Sequence, residues 1–391
     1  MTILFTIIRA LTVILLDWLA YTKLSRQAVS KLVKYSFVAI TLVSNLLILL
    51  TPLLLYFFIN EENGGNVMKI AMIMLTTYLA LSIPRIFFYL FWLPSKKKSF
   101  HWTGVLLSTA LFLLFIYSIF ITRNDYEVKR VRVECENLPP YFHGYSIAFI
   151  SDIHIGSMLA PECEIKKIAE IIKKQNVNLV LFGGDIINLH HSELTNGIVS
   201  LLSTIKGRDG AFMALGNHDT GAYINNSTIE LRNENIAALT QKMNGAGWQV
   251  LRDSTVYIER GCDSIALTGI DFSEELLRYK HSMDAVNGIN VERIYNNVPP
   301  KLFNITISHL PQLWNVLSKS GNSDLTLSGH IHAMQMKFFS FSPARFMYER
   351  WSGLYENGKE KLYINDGIGC VGFLARFGAR PEITVLELLC K

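Results

Sequence analysis

Apolar residues run almost unbroken through the first third of the chain and then break into short bursts that end in polar residues. Four apolar stretches, roughly 2–21, 37–59, 70–93 and 103–122, each approach the ~20 residues that cross ~30 Å of hydrocarbon as a helix. The pattern predicts an α-helical membrane bundle of four transmembrane helices, an anchor spanning 1–122. A polar connection, 123–143, contains Pro139 and Pro140; because apolar and charged residues alternate over 126–135, it reads as a linker or a first strand.

From 144 to 391 the texture is that of a globular domain. Short β-type runs are predicted at 145–150, 178–182, 211–215, 255–259, 264–270, 303–307, 324–327, 361–365 and 382–388. Helical patterns fall at 161–175, 193–206 and 227–244. The first of these has Pro161 at its start and Glu162 and Glu164 in its first turn, where both residue types suit a helix N-terminus. Strands alternating with helices imply an α/β fold of βα units, whose functional groups converge at the carboxyl ends of the strands.

Composition sharpens this picture. The chain has 391 residues, 50% of them hydrophobic and 18% charged, and the mean hydropathy of +0.27 is high for an ordinary soluble enzyme. A net charge of +5, with no long Lys/Arg block, argues against a nucleic-acid partner. The scattered cysteines Cys135, Cys163, Cys262, Cys370 and Cys390 are read as unpaired. A cleaved signal peptide fits poorly, because Arg9 interrupts the first apolar run. Lys23, Arg26, Lys31 and Lys34 in the first loop and Lys96, Lys97 and Lys98 in the third outweigh Lys69 in the second, which carries Glu61 and Glu62. That bias puts loops one and three in the cytoplasm and the C-terminal two-thirds outside it; Arg123, Lys129, Arg130 and Arg132 after the fourth segment pull the other way. Arg9, Asp17 and Arg85 within the apolar segments are read as snorkelling or mutually paired side chains rather than as an intramembrane site.

The chemistry-bearing residues gather where strands end. Asp152 and His154 follow the 145–150 run two positions apart, a spacing that puts both on one face of extended backbone. Asp185 follows Gly183-Gly184. Gly216-Asn217-His218-Asp219 follows 211–215, Ser308-His309 follows 303–307, and Gly329-His330-Ile331-His332 follows 324–327. Singly each is weak, since a Gly-Asp after a strand is usually a turn and a lone histidine is usually structural. Together they would cost a purely structural interior roughly 1–3 kcal/mol for every unpaired polar group. A carboxylate and imidazole cluster fits a metal site better.

The order Asp-x-His, Gly-Asp, Gly-Asn-His-Asp, His, Gly-His-x-His resembles the calcineurin-like metallophosphoesterase superfamily over about 144–391. The apolar N-terminal third, the stretch Gly329-His-Ile-His-Ala-Met-Gln335 and the tail with Gly367-Ile-Gly, Arg376 and Pro381 resemble the transmembrane, bacterial-type branch, which is similar to phosphodiesterases and to UDP-diacylglucosamine diphosphatases. The resemblance implies a four-layer αββα sandwich and two divalent metals, Mn, Fe or Zn. One would be held by Asp152, His154, Asp185 and His332, and the other by Asp185, Asn217, His309 and His330, with Asp185 bridging. It implies attack on phosphorus by a metal-bridging hydroxide, with His218 stabilising the transition state or protonating the leaving oxygen and Asp219 orienting His218. Two positions depart from the family pattern: Asn188 stands where many relatives carry Asp, and Ala333-Met334 where many membrane relatives carry Gly-Gly.

The substrate expected is a phosphodiester or pyrophosphate, and a membrane-held site favours a lipid-borne one. A bacterial inner (plasma) membrane is the expected location. A UDP-diacylglucosamine diphosphatase becomes the leading candidate if the domain is cytoplasmic, and a non-catalytic metal-containing sensor or scaffold is the rival from another class. Arg376, in a glycine-rich loop, is the candidate for contacting substrate phosphate, against a surface arginine paired with a carboxylate. The aromatic and basic stretch 338–351 reads either as a hairpin packed on the domain or as a segment meeting lipid. His190 and His191 read as solvated loop residues.

Overall fold

The structure, a computed structural model, describes residues 2–60, 63–279 and 283–391, with side chains at all of these except 2–10 and 283–284. Four helices open the chain: α1 (Thr2–Ser25), α2 (Lys31–Phe58), α3 (Gly64–Trp92) and α4 (Lys98–Phe120). Among the described residues, three helical stretches are long and apolar enough to cross a membrane: Lys31–Phe58, Gly64–Trp92 and Lys98–Asn124. The first of the four expected spans falls on α1, much of which has no described side chains, Arg9 included, so three is the number that stands.

Burying a charge in such a bundle requires a partner, and the partners are present. Arg85 Nε sits 3.1 Å from Asp17 Oδ1, and Asp17 also accepts from Asn45 Nδ2 (2.9 Å) and Tyr89 Oη (2.8 Å). Arg85 Nη1 donates to Ser44 Oγ at 2.8 Å. The network ties α1, α2 and α3 together, in line with the mutual pairing expected for Asp17 and Arg85. At one end of the bundle Lys23 Nζ donates to the carbonyls of Leu93 (3.2 Å) and Ser95 (3.1 Å). The first and third loops therefore lie together.

The strands that follow are β1 (Glu127–Cys135), β2 (Tyr145–Ile150), β3 (Leu179–Phe182), β4 (Ala211–Met213), β5 (Gln249–Val250), β6 (Ser254–Arg260), β7 (Asp263–Gly269), β8 (Asn304–Ile307), β9 (Leu325–Ser328), β10 (Gly353–Asn357), β11 (Glu360–Ile364) and β12 (Glu382–Cys390). The helices among them are α5 (Pro161–Gln175), α6 (Asn196–Leu202), α7 (Ile229–Gly245), α8 (Glu274–Tyr279), α9 (Val291–Ile294) and α10 (Trp314–Lys319). They build two mixed sheets, ordered β1-β12-β2-β3-β4-β5 and β10-β11-β9-β8-β7-β6. Ile147, Phe149 and Leu181 of the first sheet pack against Ile265, Leu267, Ile305 and Leu327 of the second. Ile165, Ile168 and Ile172 of α5 cover the outer face of the first sheet beside Ile150 and Val180, and Trp314 of α10 packs on Leu362 and Ile364 of β11. The connection after the membrane helices contains a true strand, since β1 pairs in parallel with β12 along its whole length. The helix expected over 193–206 is shorter, because residues 191–193 form a separate 3-10 turn.

The bundle meets the two-sheet domain at the loops that follow its strands. Leu189, Tyr223 and Ile224 pack with Leu54, Leu55, Ile59, Val67 and Met68 of the α2–α3 hairpin, and Asn225 Nδ2 donates to the Leu55 (3.0 Å) and Tyr56 (2.8 Å) carbonyls. The glycine-rich loop between β11 and β12 inserts toward α3 and α4. Leu374 N donates to Thr76 Oγ1 (2.7 Å), and Phe377 packs edge-on against Phe115 at 4.9 Å between ring centres.

The intramembrane pair supplies a test. Asp17→Leu strands the Arg85 charge and lowers stability in detergent by roughly 3–5 kcal/mol, whereas Asp17→Leu with Arg85→Leu recovers most of the loss. Thermal unfolding of the two variants beside the wild type measures both.

Candidate metal centre

Five of the expected site residues lie on backbone that ordinary residues avoid. Asp152, His154, Asp185, His330 and His332 all have positive φ, between 48° and 72°. Asp152 and His154 are thus brought together by left-handed turns after β2, not by strand alternation, which corrects the reasoning from spacing. Left-handed residues hold each side chain against the next loop, and glycines make room. A Cβ on Gly216 would collide with Asp185 Oδ1, and one on Gly329 with the Asp152 carboxylate.

The donor atoms converge. Asp152, His154 and His332 form one cluster, His154, Asp185 and His218 a second, and Asp185, His309 and His330 a third; within each, potential ligand atoms lie within 4.8 Å of one another. One carboxylate oxygen links them. Asp185 Oδ2 is 3.1 Å from His309 Nε2 and 3.7 Å from His154 Nε2, while Oδ1 accepts from the His218 backbone N–H at 2.7 Å. On one side of it His332 Nε2 lies 3.1 Å from Asp152 Oδ1 and 3.3 Å from His154 Nε2. On the other, Asn217 Nδ2 donates to Tyr223 Oη at 2.7 Å, and Asn217 Oδ1 is buried with no hydrogen-bond partner. A buried acceptor without a donor costs about 1–3 kcal/mol unless something else satisfies it, and a cation does. His309 Nδ1 donates to the Gly183 carbonyl (2.7 Å), which fixes the ring with Nε2 facing Asp185. Mixed nitrogen and oxygen donors of this kind suit Mn, Fe or Zn.

The electrostatics agree. Burial alone would raise the Asp152 carboxyl, yet the adjoining His332 holds it well below the usual carboxylate range. Burial would likewise lower His309, but Asp185 pushes it up to about 9. Burial and the nearby His218 keep His154 well below its ordinary value, hence neutral.

Two expected roles are corrected. Asp219 does not orient His218. Its carboxylate is fully buried and accepts four backbone N–H groups, from Asp185 (2.7 Å), Ile186 (2.9 Å), Ile187 (3.3 Å) and Gly216 (2.9 Å). His218 is oriented instead by the Asn188 carbonyl, 2.7 Å from Nδ1. The carbonyl only accepts, so Nδ1 carries a proton. Burial keeps the ring's pKa below 6.5. Arg376 does not reach substrate. It is wholly buried, and its guanidinium donates to the carbonyls of Gly369 (2.6 and 2.9 Å), Asp366 (3.1 Å) and Ala379 (3.1 Å). It holds the glycine-rich loop in shape behind His332. His190 and His191 are half-buried in the 3-10 turn.

Sequence reasoning missed Glu193 and Tyr223. Glu193 accepts the amides of Gly156 (3.0 Å), Asn188 (2.7 Å), Leu189 (2.8 Å) and His190 (3.3 Å), and so ties the loop after β2 to the loop after β3. Its one available signal was a Glu three residues into a turn, as in a helix cap. Tyr223 stacks on His218 with ring centres 4.4 Å apart, and no motif marks it.

The comparisons with known proteins give the class. Residues 145–334 match the family model of the calcineurin-like phosphoesterases, so this part of the chain is similar to a metallophosphoesterase domain. It is 27% identical over 283 residues to the zebrafish (Danio rerio) "Transmembrane protein with metallophosphoesterase domain", an alignment that covers 71% of this chain and 60% of that protein. It is 24% identical over 280 residues to YkuE, an uncharacterized metallophosphoesterase of Bacillus subtilis, covering 70% of this chain and 88% of the relative. Among solved structures, the NAD nucleotidase of Haemophilus influenzae aligns with a TM-score of 0.33 at 14% identity, over 57% of this chain and 45% of that one.

The glycine pair that the resemblance leads one to expect at 333–334 has a local explanation. Ala333 and Met334, which stand in its place, adopt φ of 47° and 51°, a conformation that costs non-glycine residues about 1–2 kcal/mol each. Met334→Gly should therefore stabilise the protein by about 1 kcal/mol net of unfolded-chain entropy, read as a higher unfolding temperature. Asp219→Ala leaves four buried amides unpaired. It should cost about 3 kcal/mol or more and lower metal content, whereas His218→Ala keeps the fold and the metal content.

Proposed function

We propose that this chain is a membrane-anchored phosphoesterase that cleaves a phosphodiester or pyrophosphate carried by a lipid, with the help of two divalent cations. One is held by Asp152, His154, Asp185 and His332, the other by Asp185, Asn217, His309 and His330. The observation that carries this reading is the Asp185 carboxylate oxygen set between His154 and His309. Such a cation pair, when bound, neutralises phosphoryl oxygens and makes water acidic near neutral pH.

The chain's own groups do the rest. His218, held through Nδ1 by the Asn188 carbonyl, presents Nε2 for proton transfer to the leaving oxygen. Burial lowers the ring's pKa, so near neutral pH it is neutral with Nε2 bare, and Nε2 takes up a proton before passing it to the leaving oxygen. Asp219 and Glu193 fix the loops, and Tyr223 sets the Asn217 amide.

The lipid substrate is favoured because the site is built against the anchor: Leu189 and Tyr223, neighbours of Asn188 and His218, pack on the α2–α3 hairpin. We assign 1–122 to a four-span anchor and 144–391, with β1 added, to the catalytic domain. The anchor sits in a bacterial inner membrane with the domain outside the cytoplasm, because the lysine-rich first and third loops lie at the bundle end remote from the domain.

In Mn²⁺ the purified full-length protein should hydrolyse bis-p-nitrophenyl phosphate faster than p-nitrophenyl phosphate and should release headgroups from phospholipid in mixed micelles. His218→Ala should lose roughly 10²–10⁴-fold of this activity. Faster monoester hydrolysis, or an unaffected His218→Ala protein, would contradict the reading. A cation beside Asp185 competes with the His309 proton, so metal affinity should rise with pH up to about 9, the value to which His309 is raised, and fall on acidification. Titration calorimetry with Mn²⁺ at several pH values checks it.

A further inference from the structure

The stretch 338–351 is the sequence feature that the site does not absorb. It leaves the metal centre at once. After His332 the chain passes through Gln335, whose side chain accepts from Val371 N (2.6 Å) and donates to the Phe373 (2.9 Å) and Ala375 (3.0 Å) carbonyls. Met336 then packs among Leu79, Ala80 and Ile83 of α3 and Leu114, Phe115 and Ile119 of α4. Lys337 N donates to the Phe377 carbonyl at 2.8 Å, and Phe377 is the ring that lies on Phe115. The next residues thus follow directly on a contact with the last turns of α4, where Tyr117, a residue type that marks membrane–water boundaries, is exposed.

What emerges is apolar. Phe338, Phe339, Phe341, Phe346 and Met347 are all exposed, Phe339 completely, Phe346 at 78% and Met347 at 69%. Exposed rings clustered in so short a stretch are unusual on a water-facing surface. Residues 338–347 contain no acidic side chain, and the exposed Arg345 stacks over Phe341 at 5.8 Å. The tip is a tight turn closed by a bridge between Phe338 and Phe341, with Phe339 in left-handed conformation at φ 54°. The base is fixed, since Ser342 Oγ donates to the Ala333 carbonyl at 2.7 Å. A fixed base and a bare aromatic tip with the exposed Arg345 at its side describe an interfacial anchor.

We propose that residues 338–347 form a second membrane contact: a loop whose phenylalanines sit in the headgroup–acyl boundary of the leaflet nearest the catalytic domain, with Arg345 facing anionic headgroups. The occupant of this apolar surface is the bilayer, because the residue just before it, Met336, packs on Leu114, Phe115 and Ile119 near the C-terminal end of α4, a helix long and apolar enough to span a membrane. The proposal rests on the reading of α2, α3 and α4 as membrane spans. Through Gln335 and Ser342 the loop also joins the His332 turn to the membrane surface, so the metal centre stands at a fixed height above the lipid.

Spin labels test this in the full-length protein. The exposed Cys163 and Cys262 and the half-buried Cys390 are replaced by serine. Labels are then placed through Phe339→Cys, Phe346→Cys, Leu113→Cys on the exposed face of α4 and Lys206→Cys on the domain surface. In nanodiscs of phosphatidylcholine and phosphatidylglycerol, collision with oxygen should exceed collision with a water-soluble nickel chelate at 339, 346 and 113, and the order should reverse at 206. If 113 is lipid-like while 339 and 346 meet the chelate, the loop stands in water and the proposal fails, with the membrane reading intact. If both reagents are excluded from 339 and 346, the surface is covered by protein, a second copy of the chain, and the proposal again fails. If 113 is not lipid-like, the membrane reading itself falls and takes the proposal with it.

Discussion

The site depends first on one buried carboxylate that touches no reacting group. Asp219 gathers the amides of Asp185, Ile186, Ile187 and Gly216, and so clamps the loop after β3 to the loop after β4. Burial and the neighbouring Asp185 push its pKa up to about 7, so the clamp works against a desolvation cost and not with it. Glu193 repeats the device one loop over, joining Gly156 to the residues after Asp185. Two carboxylates bonded to backbone give the strand-end loops a shape that left-handed residues could not hold alone. The donor atoms of Asp152, His154, Asp185, His309 and His332 are then close because their backbones have no other place to go.

This explains what could be read from the sequence and what could not. The βα succession, the Pro161–Gln175 helix and the strands ending at the metal-type residues were legible, because periodicity and strand-end polarity are local signals. Three of the four expected apolar spans were legible for the same reason, and of the two readings offered for Asp17 and Arg85, snorkelling or mutual pairing, the structure shows pairing. The two-residue spacing of Asp152 and His154 led to the right neighbourhood through the wrong geometry: β2 ends at Ile150 and left-handed turns do the rest. Asp219 and Arg376 misled in a shared way. Both are charged residues beside a site, and both spend their hydrogen bonds on backbone groups. A side chain that serves the main chain has the same letter as one that serves a substrate. Tyr223 was invisible because its importance comes from a helix hairpin more than a hundred and fifty residues earlier in the chain.

The membrane helices are not a tether attached at a distance. The α2–α3 hairpin packs on residues that adjoin Asn188 and His218, and the loop carrying Arg376 enters between α3 and α4. Arg376 itself, bonded to three carbonyl groups of that loop, keeps its glycines folded over His332. The candidate metal centre therefore lies on the side of the domain that packs against the apolar bundle. That arrangement gives a physical reason for joining a phosphoesterase to an apolar bundle in one chain.

The central claim is that one oxygen of Asp185 serves two metal ions. The direct measurement is the Mn²⁺ content of the purified protein, with the electron paramagnetic resonance spectrum of the bound ions, for the wild type and for Asp185→Asn. The account predicts about two Mn²⁺ per chain with a spin-coupled spectrum in the wild type, and loss of both ions from the variant. Retention of one tightly bound, magnetically isolated Mn²⁺ by the variant, or a wild type that binds only one, would contradict it.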